Sequence, residues 1–175
     1  HNDKGESMKK SVLFAGLLVL SAGVVSAKVK LPAVFGSNMV LQRETNAPVW
    51  GWANPGEKVE ISGSWGAKAS AVADKSGKWK TVLKTPKAGG PFKVTVKGEN
   101  TIELKNVMSG EVWLCSGQSN MEMPVRGANN ADKEIAAANY PNIRLFNIRN
   151  TASQKKLDNC KASWQPCNTR SVRGF

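Results

Sequence analysis

The sequence predicts two architectures in series, a β-sandwich over residues 28–108 and the opening of an α/β domain over residues 109–175. In the first part, short runs of alternating apolar and polar residues are separated by turn residues, which is typical of strands with one buried face. In the second part, a continuous apolar run leads into a polar loop and an alanine-rich segment. The composition, 41% hydrophobic and 22% charged, excludes a disordered or collagen-like chain.

Residues 1–27 are predicted to lie outside the mature protein. Met8-Lys9-Lys10 precedes an apolar run from Val12 to Leu20, and Val25-Ser26-Ala27 has the small residues of a cleavage site. We therefore predict that residues 1–7 lie upstream of the protein and that Met8 to Ala27 is a signal peptide. The protein is then predicted to be secreted or periplasmic. A transmembrane helix is disfavoured because this segment is shorter than the roughly 20 apolar residues that span a bilayer.

The predicted β-sandwich contains six strands in which apolar and polar residues mostly alternate. They are Val40–Gln42, Val49–Trp52, Val59–Ile61, Trp79–Leu83, Phe92–Val96 and Thr101–Leu104. Turn residues separate several of them, at Asn54–Glu57, Asp74–Lys78, Ala88–Pro91 and Lys97–Asn100. The spacing of these turns is near or somewhat above that expected of a sandwich.

Two groups of side chains in this part have competing interpretations. Four tryptophans either pack in the sandwich core or form a platform on which a sugar ring stacks: Trp50, Trp52, Trp65 and Trp79. The formal net charge of +12 raises the possibility of a nucleic-acid or membrane-surface binder. The lysines, however, are spread over alternating strand positions and turns, which favours a solvated face over the clustered arginines and aromatics of a nucleic-acid site. They are Lys58, Lys68, Lys75, Lys78, Lys80, Lys84, Lys87, Lys93 and Lys97. We therefore expect neither a nucleic-acid partner nor membrane association after signal cleavage.

The second part reads as a βαβ unit. Val112–Cys115 is a continuous apolar run and predicts a strand buried on both faces of a parallel sheet. Ala128–Tyr140 predicts a helix with Asn130 as its candidate cap, ending at Pro141. Asn142–Ile148 alternates again, so the order is strand, loop, helix and strand.

Ser119 lies in the polar loop between the predicted strand and helix, where ligands bind in α/β sheets. Its hydroxyl could be exposed there as a nucleophile, with its own backbone N–H directed at a developing oxyanion. Helix capping by Ser119 or Asn120 explains the same residues without chemistry. Spacing alone leaves both interpretations open.

Longer stretches of sequence are more specific. Gly110–Glu122, which reads GEVWLCSGQSNME, closely resembles the nucleophile block of the sialate O-acetylesterase family of SGNH-type (GDSL-like) serine hydrolases. Leu31–Gln42 and Pro48–Glu57 resemble the N-terminal β domain of that family. The likeness runs from about Leu31 to the end of the chain, and it implies that residues 109–175 open an SGNH-type hydrolase domain.

The resemblance implies a carboxylic ester hydrolase that removes O-acetyl groups from sialic acids or related glycans. Ser119 would be the nucleophile and would place its backbone N–H in the oxyanion hole, and Gln118 and Asn120 are predicted to bind the substrate. The family completes its site with a later glycine, a later asparagine and an Asp/His pair, and none of these blocks has a match in this sequence. No phosphate loop, haem motif or metal-binding motif occurs, so neither a cofactor nor a metal is expected.

The missing base limits the expected activity. The single histidine, His1, precedes Met8, and a serine hydroxyl without a general base is a weak nucleophile. A covered α/β sheet needs on the order of 200 residues, and residues 109–175 are far fewer. We therefore expect an N-terminal fragment of an esterase that is barely active by itself. The alternative is that the chain is not an enzyme but a carbohydrate-binding β module.

Cysteines and carboxylates near these motifs have modest expectations. Cys115, within the apolar run, is predicted to be buried packing, and Cys160 and Cys167 either form a disulfide or stay reduced. Glu111 and Glu122 flank the polar loop that contains Ser119 and are predicted to be solvated or capping residues rather than the missing base.

Overall fold

The computed structural model describes residues 28–175, whose regular structure is mostly β. This agrees with the prediction for the first part of the chain, whereas the second part was predicted to be α/β. Residues 40–110 form seven strands: β1 Val40–Gln42, β2 Asn46–Trp52, β3 Lys58–Gly63, β4 Lys68–Val72, β5 Lys78–Lys84, β6 Gly89–Lys97 and β7 Thr101–Gly110. Five of them form a mixed sheet in the order β1-β7-β6-β3-β4, in which β1 and β7 are parallel and the other pairs are antiparallel. β2 and β5 form a separate antiparallel pair.

Alternation along the strands produces one hydrophobic core shared by both sheets. β3 buries Val59 and Ile61 and points Lys58 and Glu60 outward, which is the pattern of a strand with one covered face. From the two-stranded sheet, Val49, Trp79 and Leu83 join the same buried cluster. The two sheets are therefore held together by apolar side chains that both contribute.

Each of the six predicted strands lies within an observed strand. The prediction missed β4, where Lys68–Val72 has no large apolar residue facing the core. The predicted turn at Ala88–Pro91 is wrong, because β6 begins at Gly89 and pairs it with Ser109 of β7. Gly90 has a φ of 133°, and a Cβ at this position would lie 2.9 Å from the Val107 carbonyl oxygen. Only glycine permits this close approach of the two strands.

Three of the four tryptophans pack in or against the core, and the sugar-stacking platform stays a prediction. Trp79 is buried in the core, and Trp50 and Trp65 are half-buried against it. Trp50 meets Phe35 edge-on with ring centroids 4.7 Å apart. The nine lysines named above are all exposed, in agreement with a solvated face.

After Gly110 the chain has short elements: helix α1 Ser119–Glu122, a 3-10 turn Val125–Gly127, helix α2 Ala131–Ala137, strands β8 Asn139–Leu145 and β9 Gln165–Asn168, and a 3-10 turn Val172–Gly174. The predicted βαβ unit is not formed within residues 111–175, because β8 pairs antiparallel with β9. Helix α2 is shorter than predicted. Asn130 occupies its N-cap position but makes no side-chain cap, since its φ of 59° is left-handed.

The pairing of β8 with β9 explains why a proline lies inside a strand. Pro141 falls where the register between the two strands shifts, between Tyr140 and Arg144. A proline that lacks an N–H is tolerated at such an irregularity because no ladder bond is lost there. The predicted helix stop at Pro141 is therefore slightly late, and the residues around it are already extended.

The segment around β9 is bound to the first part of the chain by side-chain contacts. Trp164 Nε1 donates to the Val34 carbonyl oxygen at 2.8 Å, and the Ala33 N–H donates to Asn159 Oδ1 at 2.8 Å. Arg144 Nη2 donates to Asn106 Oδ1 at 3.1 Å, and burial lowers the pKa of this guanidinium. A sharp domain boundary at residue 108 stays a prediction, since β7 continues through Gly110.

The predicted signal peptide, Met8 to Ala27, lies outside the described residues. Within residues 28–175, none of the helices has the length and apolar character required to cross a bilayer.

Candidate active site

Residues 111–118, which lead from β7 to Ser119 and which we call the serine loop, begin where the parallel strands β1 and β7 end. Gln42 of β1 pairs in register with Gly110 of β7, and the Arg43 N–H donates to the Gly110 carbonyl oxygen at 2.9 Å. Gln42 Nε2 donates to Glu111 Oε2 at 2.9 Å, and Arg43 Nε donates to Glu111 Oε1 at 2.6 Å. The start of the loop is therefore tied to the end of β1 through backbone and side chains.

The predicted buried strand Val112–Cys115 is wrong. These residues follow the end of β7 in irregular structure, with Trp113 84% and Leu114 88% exposed. No strand within residues 28–175 pairs with them, so their apolar side chains have no layer to pack against. The thiol of Cys115 is exposed as well, which contradicts its predicted role in packing.

Ser119 is the first residue of helix α1 and is exposed to solvent. Gln118 stands at the N-cap position in an extended conformation, and its carbonyl oxygen accepts the Met121 N–H at 2.8 Å. No side chain of residues 28–175 hydrogen-bonds the Ser119 hydroxyl. Gln118 and Asn120 flank it and are exposed too. The nucleophile, oxyanion-hole and substrate-binding roles assigned to these residues remain predictions.

Both neighbouring carboxylates are hydrogen-bonded to side chains other than Ser119. Hydrogen bonds from Gln42 and then from Arg43 lower the pKa of Glu111, so its carboxylate is ionised and occupied. Glu122 Oε1 accepts a hydrogen bond from Asn150 Nδ2, which ties helix α1 to the segment before β9. Both carboxylates are exposed, as expected, but they bond other side chains instead of capping a helix.

The three cysteines are free thiols: Cys115, Cys160 and Cys167. The Cys160–Cys167 disulfide considered from the sequence is therefore not formed in this structure. Cys167 is buried, and desolvation raises its pKa, which makes it a poor nucleophile at neutral pH. Residues 28–175 contain no cluster of three or more potential metal ligands of the His, Cys, Asp or Glu type.

An open cleft of about 500 Å³ lies between the first part of the chain and the segment before β9. Trp50 and Val34 line one side, and Asn150 and Asn159 line the other. Because Asn150 also bonds Glu122, the cleft wall is connected to the helix that begins with Ser119. The sequence alone did not indicate this cleft, since the residues of its two walls are about 100 or more positions apart.

Sequence reasoning also missed the contact of Gln42 and Arg43 with Glu111. Gln42 ends one of the stretches that carry the resemblance and Glu111 is the second residue of another, but neither stretch indicates that the two residues touch. Their contact required the parallel pairing of β1 with β7, which the pattern of alternation does not specify.

Comparisons with known proteins identify similar sequences and a similar solved structure. No family model matches the chain. It is 39% identical over 132 residues to a sialate O-acetylesterase from Mus musculus, which covers 69% of this chain and 24% of that protein. A sialate O-acetylesterase from Homo sapiens is 34% identical over 145 residues, covering 76% of this chain and 28% of that protein. The chain thus spans about a quarter of the length of these curated relatives.

A solved structure agrees with the sequence relatives. The crystal structure of a carbohydrate acetylesterase from Xanthomonas citri superposes with a TM-score of 0.79 and 32% sequence identity. The match covers 84% of this chain and 34% of the other. The similarity therefore extends over most of the described residues and not over the strands alone.

Proposed function

Because this chain belongs to the sialate O-acetylesterase family, we propose that it carries the nucleophile of a carbohydrate esterase and that Ser119 Oγ is the attacking atom. The observation that carries the proposal is the placement of Ser119. It lies exposed at the start of α1, at the end of a loop anchored to β1, and its hydroxyl is not engaged by any side chain of residues 28–175. A nucleophile must be reachable by substrate, and this one is.

The proposed reaction is acyl transfer in two steps. Ser119 Oγ attacks the carbonyl carbon of an O-acetyl group while a general base removes its proton, and the sugar oxygen leaves with a proton as the acetyl-enzyme forms. Water then attacks the acetyl carbonyl, releasing acetate and restoring the hydroxyl. Donors directed at the developing oxyanion lower both barriers, and the Ser119 backbone N–H is our candidate for one of them.

We propose that the general base comes from protein outside residues 28–175. The carboxylates nearest to Ser119 in the sequence are occupied by Arg43 and Gln42 on one side and by Asn150 on the other. The only histidine of the sequence is His1. Residues 28–175 by themselves are therefore expected to transfer acetyl groups barely or not at all.

The finer assignments belong to the same proposal. Residues 109–175 would open an SGNH-type hydrolase domain after a β-sandwich, and Met8 to Ala27 would direct export. The substrates would be O-acetylated sialic acids or related glycans, a choice supported by the names of the relatives in mouse and human. Gln118 and Asn120 would contact the substrate from positions next to the nucleophile.

The cleft beside Trp50 favours one second candidate, a glycan-binding module without catalysis. An aromatic ring and two amide side chains, Asn150 and Asn159, are groups that bind sugar rings in proteins. This candidate predicts sugar binding that does not depend on Ser119.

Acetate release from a 4-nitrophenyl acetate reporter and from an O-acetylated sialic acid tests the proposal. Residues 28–175 are measured beside an extended protein that includes any residues encoded downstream, each with Ser119→Ala. Ser116→Ala is the matched control, because Ser116 is an exposed serine of the same loop. Activity confined to the extended protein and lost only in Ser119→Ala supports the proposal. Full activity in Ser119→Ala contradicts it, and glycan binding without hydrolysis in the extended protein favours the module.

A further inference from the structure

Three side chains converge where the serine loop leaves the sheet: Gln42, Arg43 and Glu111, which we call the exit clamp. The primary amide of Gln42 is used at both ends. Its Nε2 donates to Glu111 Oε2 at 2.9 Å, and its Oε1 accepts the Val112 N–H at 2.9 Å. Among uncharged side chains of this length, only an amide can donate and accept in this way at once.

Arg43 completes the clamp with a charged contact. Its Nε donates to Glu111 Oε1 at 2.6 Å, and its Nη1 donates to Glu44 Oε2 at 2.7 Å. Gly110, Glu111 and Val112 are therefore each fixed to the end of β1, by the Arg43 N–H, by the two side chains and by the Gln42 amide oxygen. Several hydrogen bonds and an ion pair therefore join the ends of β1 and β7, so the contact is more than an isolated surface ion pair.

Buried hydroxyls hold the backbone beneath the clamp. Thr85 is 4% exposed, and its Oγ1 lies 2.7 Å from the Gln42 carbonyl oxygen while it accepts the Thr45 N–H at 3.0 Å. Ser109 is also 4% exposed and donates from Oγ to the Pro86 carbonyl oxygen at 2.9 Å. The backbone on both sides of the clamp is thus hydrogen-bonded to, or next to, a buried hydroxyl.

Beyond the clamp the loop has little else to fix its direction. Trp113 and Leu114 are almost fully exposed, and residues 111–117 form no helix or strand. The next side-chain restraint is the bond between Glu122 and Asn150, at the far end of α1. A small change of angle at Glu111 would therefore be carried along the loop to Ser119.

We propose that the exit clamp is a positioning device, by which the first β-sheet sets the direction of the loop and so places Ser119 Oγ for attack. Gln42, Arg43 and Glu111 are then positioning residues, and the β domain is part of the catalytic apparatus and not only a neighbour of it. The inference rests on the proposed function of Ser119. Misplacement of a reacting group by about 1 Å can lower a rate by about a hundredfold, so a loosened clamp has a measurable cost.

The test uses the full-length esterase with Gln42→Ala, Gln42→Glu and Glu111→Gln, and Glu103→Gln as the matched control. Glu103 forms an exposed ion pair with Lys93 at 3.2 Å on the β6–β7 surface, so its loss perturbs a similar contact elsewhere. We expect kcat of the clamp variants to fall about tenfold with KM within about twofold, and Glu103→Gln to retain both. Melting temperatures should stay within about 3 °C in all of them, because the clamp groups are half exposed.

An exchanged pair supplies the readout that a merely structural role would not move. In Gln42→Glu, residue 42 can no longer donate to Glu111, and the two carboxylates repel each other. Combining Gln42→Glu with Glu111→Gln restores a donor facing an acceptor and leaves an oxygen for the Val112 N–H. We expect this double variant to recover most of the kcat lost in Gln42→Glu. Failure to recover, or an equal loss in Glu103→Gln, would overturn the inference.

Hydrogen exchange tests the clamp itself, and the activities of two variants separate the positioning proposal from the proposed function. Gln42→Ala should accelerate exchange of the Val112 amide while β3 and β6 keep their protection, whether or not Ser119 is the nucleophile. If Ser119→Ala retains activity, the proposed function is wrong. If Ser119→Ala is inactive but Gln42→Ala keeps the wild-type kcat, the nucleophile stands and the positioning role fails.

Discussion

Leu83→Ala is the sharpest test of the shared core. Leu83 lies on β5 of the two-stranded sheet and is 0% exposed, in one buried cluster with Val59, Ile61 and Val96 of the five-stranded sheet. The substitution removes three carbon atoms, each worth about 0.8 kcal/mol of transfer free energy, or roughly 2.4 kcal/mol in all. The cavity left behind adds to this, so we expect the free energy of unfolding to fall by about 3–4 kcal/mol.

Urea unfolding of residues 28–175, followed by tryptophan fluorescence, measures this loss. With a denaturant slope of about 1–3 kcal/mol/M, the midpoint should move down by roughly 1–4 M. Val82→Ala is the matched control, because Val82 is the preceding residue of the same strand and is 52% exposed. It should change the free energy of unfolding by less than about 0.5 kcal/mol. A loss below about 1 kcal/mol for Leu83→Ala, or equal losses for both variants, would refute the packing of the two sheets on one core.

Three further outcomes are expected. Cys115 should react with a thiol reagent much faster than Cys167 in the native protein, because Cys115 is exposed and burial raises the pKa of Cys167; equal rates in a timed alkylation followed by mass spectrometry would contradict this. Gly90→Ala should destabilise the protein by about 2 kcal/mol, since the new Cβ would meet the Val107 carbonyl oxygen at 2.9 Å, whereas Gly66→Ala, with no atom within 4 Å, adds only backbone strain; thermal melts of the two variants compare them. The hydrogen bonds from Gln42 and Arg43 lower the folded-state pKa of Glu111, so its stabilising contribution is present above the unfolded pKa and is lost as pH falls through the folded value. The melting temperatures of wild type and Glu111→Gln should accordingly converge as pH is lowered from about 6 to about 3, and a constant difference would count against it.

Much of the first sheet could be predicted because its signal is local. Val40–Gln42 and Val59–Ile61 alternate, and alternation is decided by one buried face. β4 was missed because Lys68–Val72 pairs at a sheet edge through its backbone and contributes no large side chain to the core. A strand held by hydrogen bonds more than by burial leaves little trace in hydrophobic pattern.

The candidate site was predicted less completely than the sheet. Ser119 was located by its loop and by resemblance, and the structure places it exposed at the start of a helix. The run Val112–Cys115 misled because apolar residues indicate that a segment can be buried, without saying what would cover it. Gln42 and Glu111 could not be joined from sequence, since a polar contact across a parallel strand pair depends on register, and neither residue carries register information by itself.

The parallel pairing of β1 with β7 also sets the order in which the protein can assemble. Arg43 and Glu111 are 68 residues apart, and every strand from β2 to β6 is made between them. On a ribosome adding about 5–20 residues per second, β1 would wait roughly 3–14 s for its partner to emerge. Closing so long a loop is entropically costly until the intervening strands have condensed, so this pair should form late. The exit clamp would therefore form only after the β-sheet is complete. An immature or stalled chain would expose Ser119 without the contacts proposed to position it.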